Sequence, residues 1–222
     1  MQAALLLPAA VLLPGCETLE RKSTVLRRPF FSPEERRFVD AATARLIPSE
    51  DSGTGAKEAD VAEFIDRQLA GPYGRADTWY MQGPWADGTA EQGYQSPHTP
   101  ADLYRIAIHD LDAYCQHTYS GKIFSDLAPA DQDKVLTALD HGGIKLAKAP
   151  GKAFFTMLWQ NTQEGFLADP MYGGNRNFIG WKLIGFPGPR YNYSDEITQY
   201  GKPYTLPTVG ILGRDGTRTL KG

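Results

Sequence analysis

A segment rich in glycine, proline and aromatic residues, residues 165–188, constrains the fold of this chain more than any other. Glycine adopts backbone conformations that other residues avoid, and proline fixes its own backbone angle. The segment therefore fits neither a long regular helix nor a strand, and it predicts a rigid, shaped loop. Such a loop favours binding of a partner or a ligand over catalysis. Its aromatic side chains are Phe166, Tyr172, Phe178, Trp181 and Phe186.

Five other segments have the apolar spacing of amphipathic helices. The first begins at Ser32, where Pro33 and Glu35 complete the pattern of an N-terminal capping box. Asp60 and Glu63 have the same spacing, which predicts that Asp60 caps the second helix. The five predicted helices cover about 33–47, 60–69, 100–120, 129–140 and 151–163.

The helical segments predict an all-α fold, a bundle of about five helices with a long aromatic Gly/Pro-rich loop between the second and third helices (71–99) and an irregular C-terminal arm. We divide the chain into a signal- or lipoprotein-like segment (1–22), a helical domain (23–165), and the glycine-rich loop with the arm (166–222). Everything after residue 165 is expected to be irregular. A segment with so little periodic burial is stable only against its own body or a partner. The arm carries Tyr191, Tyr193, Tyr200 and Tyr204.

Composition and the N-terminus narrow the class of protein. Apolar residues make up 41% of the 222 residues, enough for a core, and the net charge of −3 gives no basic surface for nucleic acid.

Ala3 to Leu13 is almost wholly apolar and too short to span a bilayer, as in a signal peptide. It leads to Gly15-Cys16, so Cys16 is a candidate lipidation site and membrane tether. The alternative interpretation of residues 1–22 is a poorly ordered, frayed tail. We interpret the pair Arg27-Arg28 as surface charge.

Residues that could perform chemistry are few. His109, His117 and His141 are too scattered for a metal signature, and no haem-attachment motif occurs. Residues 173–175 (Gly-Gly-Asn) follow a predicted helix rather than a strand, which disfavours a phosphate-binding loop. Asp169 could be a catalytic acid, but a carboxylate that accepts backbone N–H groups in a turn is the favoured interpretation. We therefore predict no catalytic, cofactor-binding or metal-binding residue in this chain.

Three side chains have two interpretations that the sequence leaves open. Cys115 is either a buried thiol or a bridge to another subunit. Trp181 and Tyr172 are either interface anchors or pins that fix the loop in place.

Residues 164–188 have a distinctive pattern: Glu164-Gly165-Phe166, Asp169-Pro170, Tyr172-Gly173-Gly174-Asn175, Gly180-Trp181 and Gly185-Phe186-Pro187-Gly188. This pattern resembles the signature of the gluconate 2-dehydrogenase small-subunit family (subunit 3, or gamma). The family also supplies the small subunits of flavin-dependent fructose and glucose dehydrogenases. We call residues 164–188 the signature segment.

The resemblance implies a non-catalytic subunit. In that family the FAD lies in a separate large subunit, and electrons leave through a multihaem cytochrome c. The small subunit helps the large one to fold and to reach the periplasm, and many members carry a twin-arginine signal. The alternative is a free-standing exported lipoprotein with a helical ligand-binding domain. The candidate partner-binding residues are Asp169, Pro170, Tyr172, Gly173, Gly174, Asn175, Gly180, Trp181, Gly185, Pro187 and Gly188.

Overall fold

A computed structural model describes residues 28–51, 53–86, 88–190 and 192–213 and confirms the all-α fold. Those residues form six α-helices and no β-strand, apart from two isolated bridges. The helices are α1 (Pro33–Leu46), α2 (Val61–Leu69), α3 (Pro100–Thr118), α4 (Pro129–Asp140), α5 (Gly151–Leu167) and α6 (Ile179–Ile184). Short 3₁₀ helices lie at Ala90–Gln92, Phe124–Asp126, Pro170–Tyr172 and Arg176–Phe178.

Helix α5 is the centre of the bundle, because it packs against α1, α2, α3, α4 and α6. Aromatic rings fill the space around it. The centre of the Phe154 ring lies 5.3 Å from the centre of the Tyr104 ring and 6.3 Å from that of the Phe38 ring. Asn161 on the same helix donates to the Tyr104 hydroxyl and accepts from that of Tyr73. The core therefore fixes α5, whose C-terminal end carries the signature segment.

The start of α1 confirms the predicted capping box. The Ser32 hydroxyl accepts a hydrogen bond from the Glu35 N–H, and the Glu35 carboxylate accepts one from the Ser32 N–H. Asp60 is the N-cap residue of α2, as predicted, but the predicted side-chain cap does not form. Asp60 has a left-handed backbone (φ 56°) and makes no capping bond, since its carboxylate pairs with Arg36 and Arg176 instead. Tertiary ion pairs override the local capping pattern here.

The expectation that everything after residue 165 is irregular is wrong in part. Helix α5 continues to Leu167, and α6 forms within the signature segment. With six residues, α6 is too short to show an apolar period. The predicted long loop between α2 and α3 is irregular apart from one 3₁₀ turn, and the chain beyond α6 is irregular through Gly213.

Residues 1–22, with the candidate lipidation site Cys16, lie outside the described residues. Within the described part of the chain, no helix combines the length and the apolar character needed to cross a membrane.

Candidate partner-binding surface

Asn175 holds the signature segment together. Its side-chain amide donates to the Ala168 carbonyl at 2.8 Å, and its side-chain oxygen accepts from the Gly180 N–H at 2.8 Å. The residue is fully buried and has a left-handed backbone (φ 49°), a conformation that asparagine tolerates better than most residues. Asn175 thereby joins the residues just after α5 to the start of α6.

Two glycines allow the backbone to pass very close to α5. A Cβ at Gly174 would lie 2.1 Å from the Gly165 carbonyl oxygen, and one at Gly180 would lie 2.0 Å from that of Phe166. Real side chains do not approach so closely, so only glycine fits at these positions. The glycine-rich pattern thus follows from dense backbone packing.

Asp169 is a turn residue, as the favoured interpretation predicted. One carboxylate oxygen accepts from the Met171 N–H at 3.0 Å and caps the 3₁₀ helix that contains Pro170. The other accepts from the N–H of Ile211 at 2.7 Å, far along the chain. The tie to Ile211 could not be predicted, because no local pattern encodes a contact across 42 residues.

Trp181 is a buried pin within its own chain. Its indole N–H donates to the Leu167 carbonyl at 2.7 Å. Its ring stacks on that of Phe178 and makes an edge-to-face contact with that of Phe186. Tyr172, in contrast, lies 46% exposed beside the end of α5. The structure therefore separates the two residues: Trp181 packs within its own chain, and Tyr172 lies partly exposed at the surface.

The remaining signature residues shape the ends of the segment. Gly173 ends the 3₁₀ helix, Gly185 ends α6 with a left-handed backbone, and Pro187 and Gly188 lead into the C-terminal arm.

Large apolar side chains project from this scaffold into solvent. Leu183 and Ile184 lie at the end of α6, and Phe186 follows them. Leu167 and Tyr172 line a shallow apolar groove with Phe64 of α2. An apolar surface on a rigid framework is typical of protein interaction sites. Sequence reasoning singled out the aromatic members and missed the aliphatic ones, two of which, Leu183 and Ile184, lie on the unpredicted helix α6.

A charged cluster lies next to the apolar groove. Arg36 binds the carboxylates of Asp60 and Glu63, Arg176 binds Asp60, and Arg67 binds Glu63. These pairs connect α1 and α2 to the signature segment. Sequence reasoning missed the cluster, because Arg36 and Arg176 are distant in the chain from the carboxylate of Asp60 that both bind.

The other candidate chemical residues have structural roles or lie apart. Cys115 is buried in the core, and burial raises the pKa of its thiol to about 12. His109 is exposed beside Asp110, 3.5 Å from its carboxylate. Nowhere in the described chain do three or more His, Cys, Asp or Glu side chains form a group that could hold a metal ion.

A second cavity lies under the long loop between α2 and α3. It has a volume of about 420 Å³ and is lined by the rings of Tyr73, Trp79 and Tyr94 and by Met157 and Gln160 of α5. Burial raises the pKa of Tyr73 to about 12, so its hydroxyl stays protonated. This neutral, aromatic cavity is unrelated to the signature segment.

The fold and this surface define a class of protein: an all-α domain with a rigid irregular segment that displays apolar side chains. The chain belongs to the gluconate 2-dehydrogenase subunit 3 family, whose model matches residues 33–188. The match confirms the family that the signature segment indicated, and it identifies the chain as a subunit type of a multi-subunit dehydrogenase complex. No curated protein and no solved structure matches the chain.

Proposed function

We propose that this chain is the non-catalytic small subunit of a periplasmic, flavin-dependent dehydrogenase of sugars or sugar acids. It binds and stabilises the flavoprotein catalytic subunit and helps that subunit through export. The complex oxidises a hydroxyl group of gluconate or a related sugar. In this proposal the FAD belongs to the catalytic subunit, and haem c in a partner cytochrome accepts the electrons.

The proposal rests on where the exposed apolar side chains lie in the chain. Twelve large hydrophobic side chains are exposed among the described residues, and ten of them lie between Leu167 and Ile211. A monomer that exposed its apolar residues at random would spread them over all its elements. Their concentration in and after the signature segment, in a family of dehydrogenase subunits, supports a protein partner at this end of the molecule.

Co-expression tests the proposal. The candidate flavoprotein large subunit from the same host is produced with and without this chain, and its soluble yield, flavin content and co-purification are measured. We expect the two chains to co-purify at a fixed ratio and the yield of flavin-loaded large subunit to fall several-fold without this chain. Equal yields together with no co-purification would refute the proposal.

Export is the second part of the proposal, and it rests on the apolar run that leads to Gly15-Cys16. We expect residues 1 to about 16 to be removed, or Cys16 to carry lipid, in protein from the native host. Intact-mass measurement decides, and a mature chain that begins at Met1 contradicts the export route.

The cavity under the long loop is the observation that favours the alternative function, an exported lipoprotein with a helical ligand-binding domain. Its aromatic walls and volume suit a small neutral ligand. A chain that is monomeric in its host and whose Trp79 fluorescence responds to a small molecule would support this alternative.

A further inference from the structure

The chain beyond α6 forms a closed loop with a pinned base. Residues 189–208, here called the arm loop, leave the body at Gly188 and return to it at Val209. At this neck the Val209 N–H donates to the Pro187 carbonyl at 3.2 Å. Gly188 is left-handed (φ 87°), and a Cβ there would lie 1.8 Å from the Val209 carbonyl oxygen. The two ends of the arm loop are therefore in direct contact.

Further contacts hold the base of the arm loop. The Tyr193 hydroxyl donates to the Gly188 carbonyl at 2.8 Å, and the Arg190 guanidinium donates to the Pro207 carbonyl and lies 5.6 Å from the centre of the Tyr204 ring. Beyond the neck, the bond from Ile211 to Asp169 fastens the returning chain to the signature segment. The position of the arm loop on the body is thus determined.

The outer part of the arm loop makes no comparable contacts. It consists of successive turns around residues 193–202, and none of the arm-loop residues that the structure describes belongs to the hydrophobic core. Tyr200 is 90% exposed and Ile197 is 66% exposed. Ordering a chain costs conformational entropy, and these two side chains recover little of it by burial in this molecule. A rigid base with apolar side chains at its outer end is suited to a protein interface, where tyrosine is a frequent anchor.

We infer that the arm loop is a second docking element for the flavoprotein catalytic subunit, with Tyr200 and Ile197 as its anchors. This inference rests on the proposed function. The loop is fastened to the signature segment, because its neck contacts Pro187 and the chain just beyond the neck is bound to Asp169. It also lies beyond residues 33–188, which the family model matches. In this inference, a contact through the arm loop adds to the docking surface that the signature segment is proposed to provide.

Paired variants test the inference on the full chain. We compare the wild type, the double variant Tyr200→Ala/Ile197→Ala, and Tyr80→Ala, whose tyrosine is 80% exposed on the loop between α2 and α3. We measure the Kd for the candidate flavoprotein large subunit from the same host, and the melting temperature of each chain alone. The double variant is expected to bind roughly 10- to 30-fold more weakly, as for the loss of central interface anchors. Its melting temperature and the affinity of Tyr80→Ala should stay at wild-type values.

A photo-crosslinking amino acid, p-benzoylphenylalanine, placed at position 200 or 80 identifies what touches the arm loop. A crosslink to the large subunit from position 200, and none from position 80, supports the inference. Wild-type affinity in the double variant, or a crosslink only to a second copy of this chain, overturns it while leaving the proposed function intact. Failure of the wild-type chain itself to bind the large subunit overturns both.

Discussion

At the scale of single residues, the signature segment is determined by a few side chains with several bonds each. Trp181 packs against two aromatic rings and also donates a hydrogen bond to the end of α5. Asn175 satisfies two buried backbone groups while holding a backbone conformation that most residues disfavour. Because these contacts lie within one chain, replacing either residue should first affect the stability of the isolated protein.

Trp181→Ala should lower the free energy of unfolding by about 3–5 kcal/mol, the usual cost of truncating a buried aromatic side chain. Tyr172→Ala, at an exposed position in the same segment, should cost less than about 1 kcal/mol. Thermal and urea unfolding of the isolated variants measures both. Equal losses in the two variants would contradict the assignment of Trp181 as the pin.

Asn175→Ala should cost on the order of 3 kcal/mol, because it leaves the Ala168 carbonyl and the Gly180 N–H unpaired and adds left-handed strain. Asn177→Ala is the matched control, since Asn177 is also left-handed (φ 57°) but exposed. The control should show the strain alone, about 1 kcal/mol. Urea unfolding compares the two, and a control that loses as much as Asn175→Ala would show that the buried hydrogen bonds contribute nothing.

Cys115 should be inert in the folded chain. A thiol with a pKa of about 12 is ionised in roughly one molecule in 10⁵ at pH 7, and the thiolate is the reactive form. In a Cys16→Ser background, the reaction of Cys115 with a disulfide reagent should be slow and should follow global unfolding. Rapid labelling of the native chain would support the alternative of a bridge to another subunit.

At the scale of elements, α6 links the buried and exposed parts of the signature segment. Its Trp181 faces inward, while Leu183 and Ile184 face solvent. The charged cluster of Arg36, Asp60 and Arg176 holds the preceding turn against α1 and α2. The short helix is therefore a fixed support for two exposed aliphatic side chains.

Ile184→Asp should weaken association with the flavoprotein large subunit at least about 10-fold, because a carboxylate would be desolvated in an apolar contact. Gln116→Asp places the same charge on an exposed position of α3 and should leave the affinity unchanged. A binding titration with each variant, after circular dichroism has shown equal helicity, gives the result. Equal affinity of the two variants would remove α6 from the docking surface.

Local patterns in the sequence predicted much of this architecture. The capping box of α1 and the apolar spacing of the first five helices depend on near neighbours in the chain, and the structure confirms them. Asp60 has an equally good capping pattern, but its carboxylate binds Arg36 and Arg176, which are distant in sequence. Helix α6 was missed for a related reason: six residues give no readable period, and the helix is set by the packing of Trp181 and Gly180 on α5. The signature residues could be located from the sequence, but the choice between pin and exposed contact required burial.

At the scale of the whole molecule, the chain is an α-helical body with a concentration of exposed apolar side chains at its C-terminal end. The body supplies rigidity through α5, and the segments that follow supply the surface. The proposed function assigns the chemistry of the complex to another subunit.

The isolated chain should therefore have no dehydrogenase activity. After purification alone, it should show no flavin absorbance and should reduce no dye with gluconate, glucose or fructose. Activity should appear only with the large subunit present. Bound flavin with turnover in the isolated chain would contradict the role of an accessory subunit.

The contact between Gly188 and Val209 has a consequence for engineering. Since the two ends of the arm loop already touch, we expect that the outer part of the loop can be exchanged as long as Arg190 and Tyr193, which hold the neck, are kept. Arm loops of other lengths and sequences could be grafted onto the same neck, and the body would keep its shape. The partner preference of such hybrid subunits could then be changed independently of their folding.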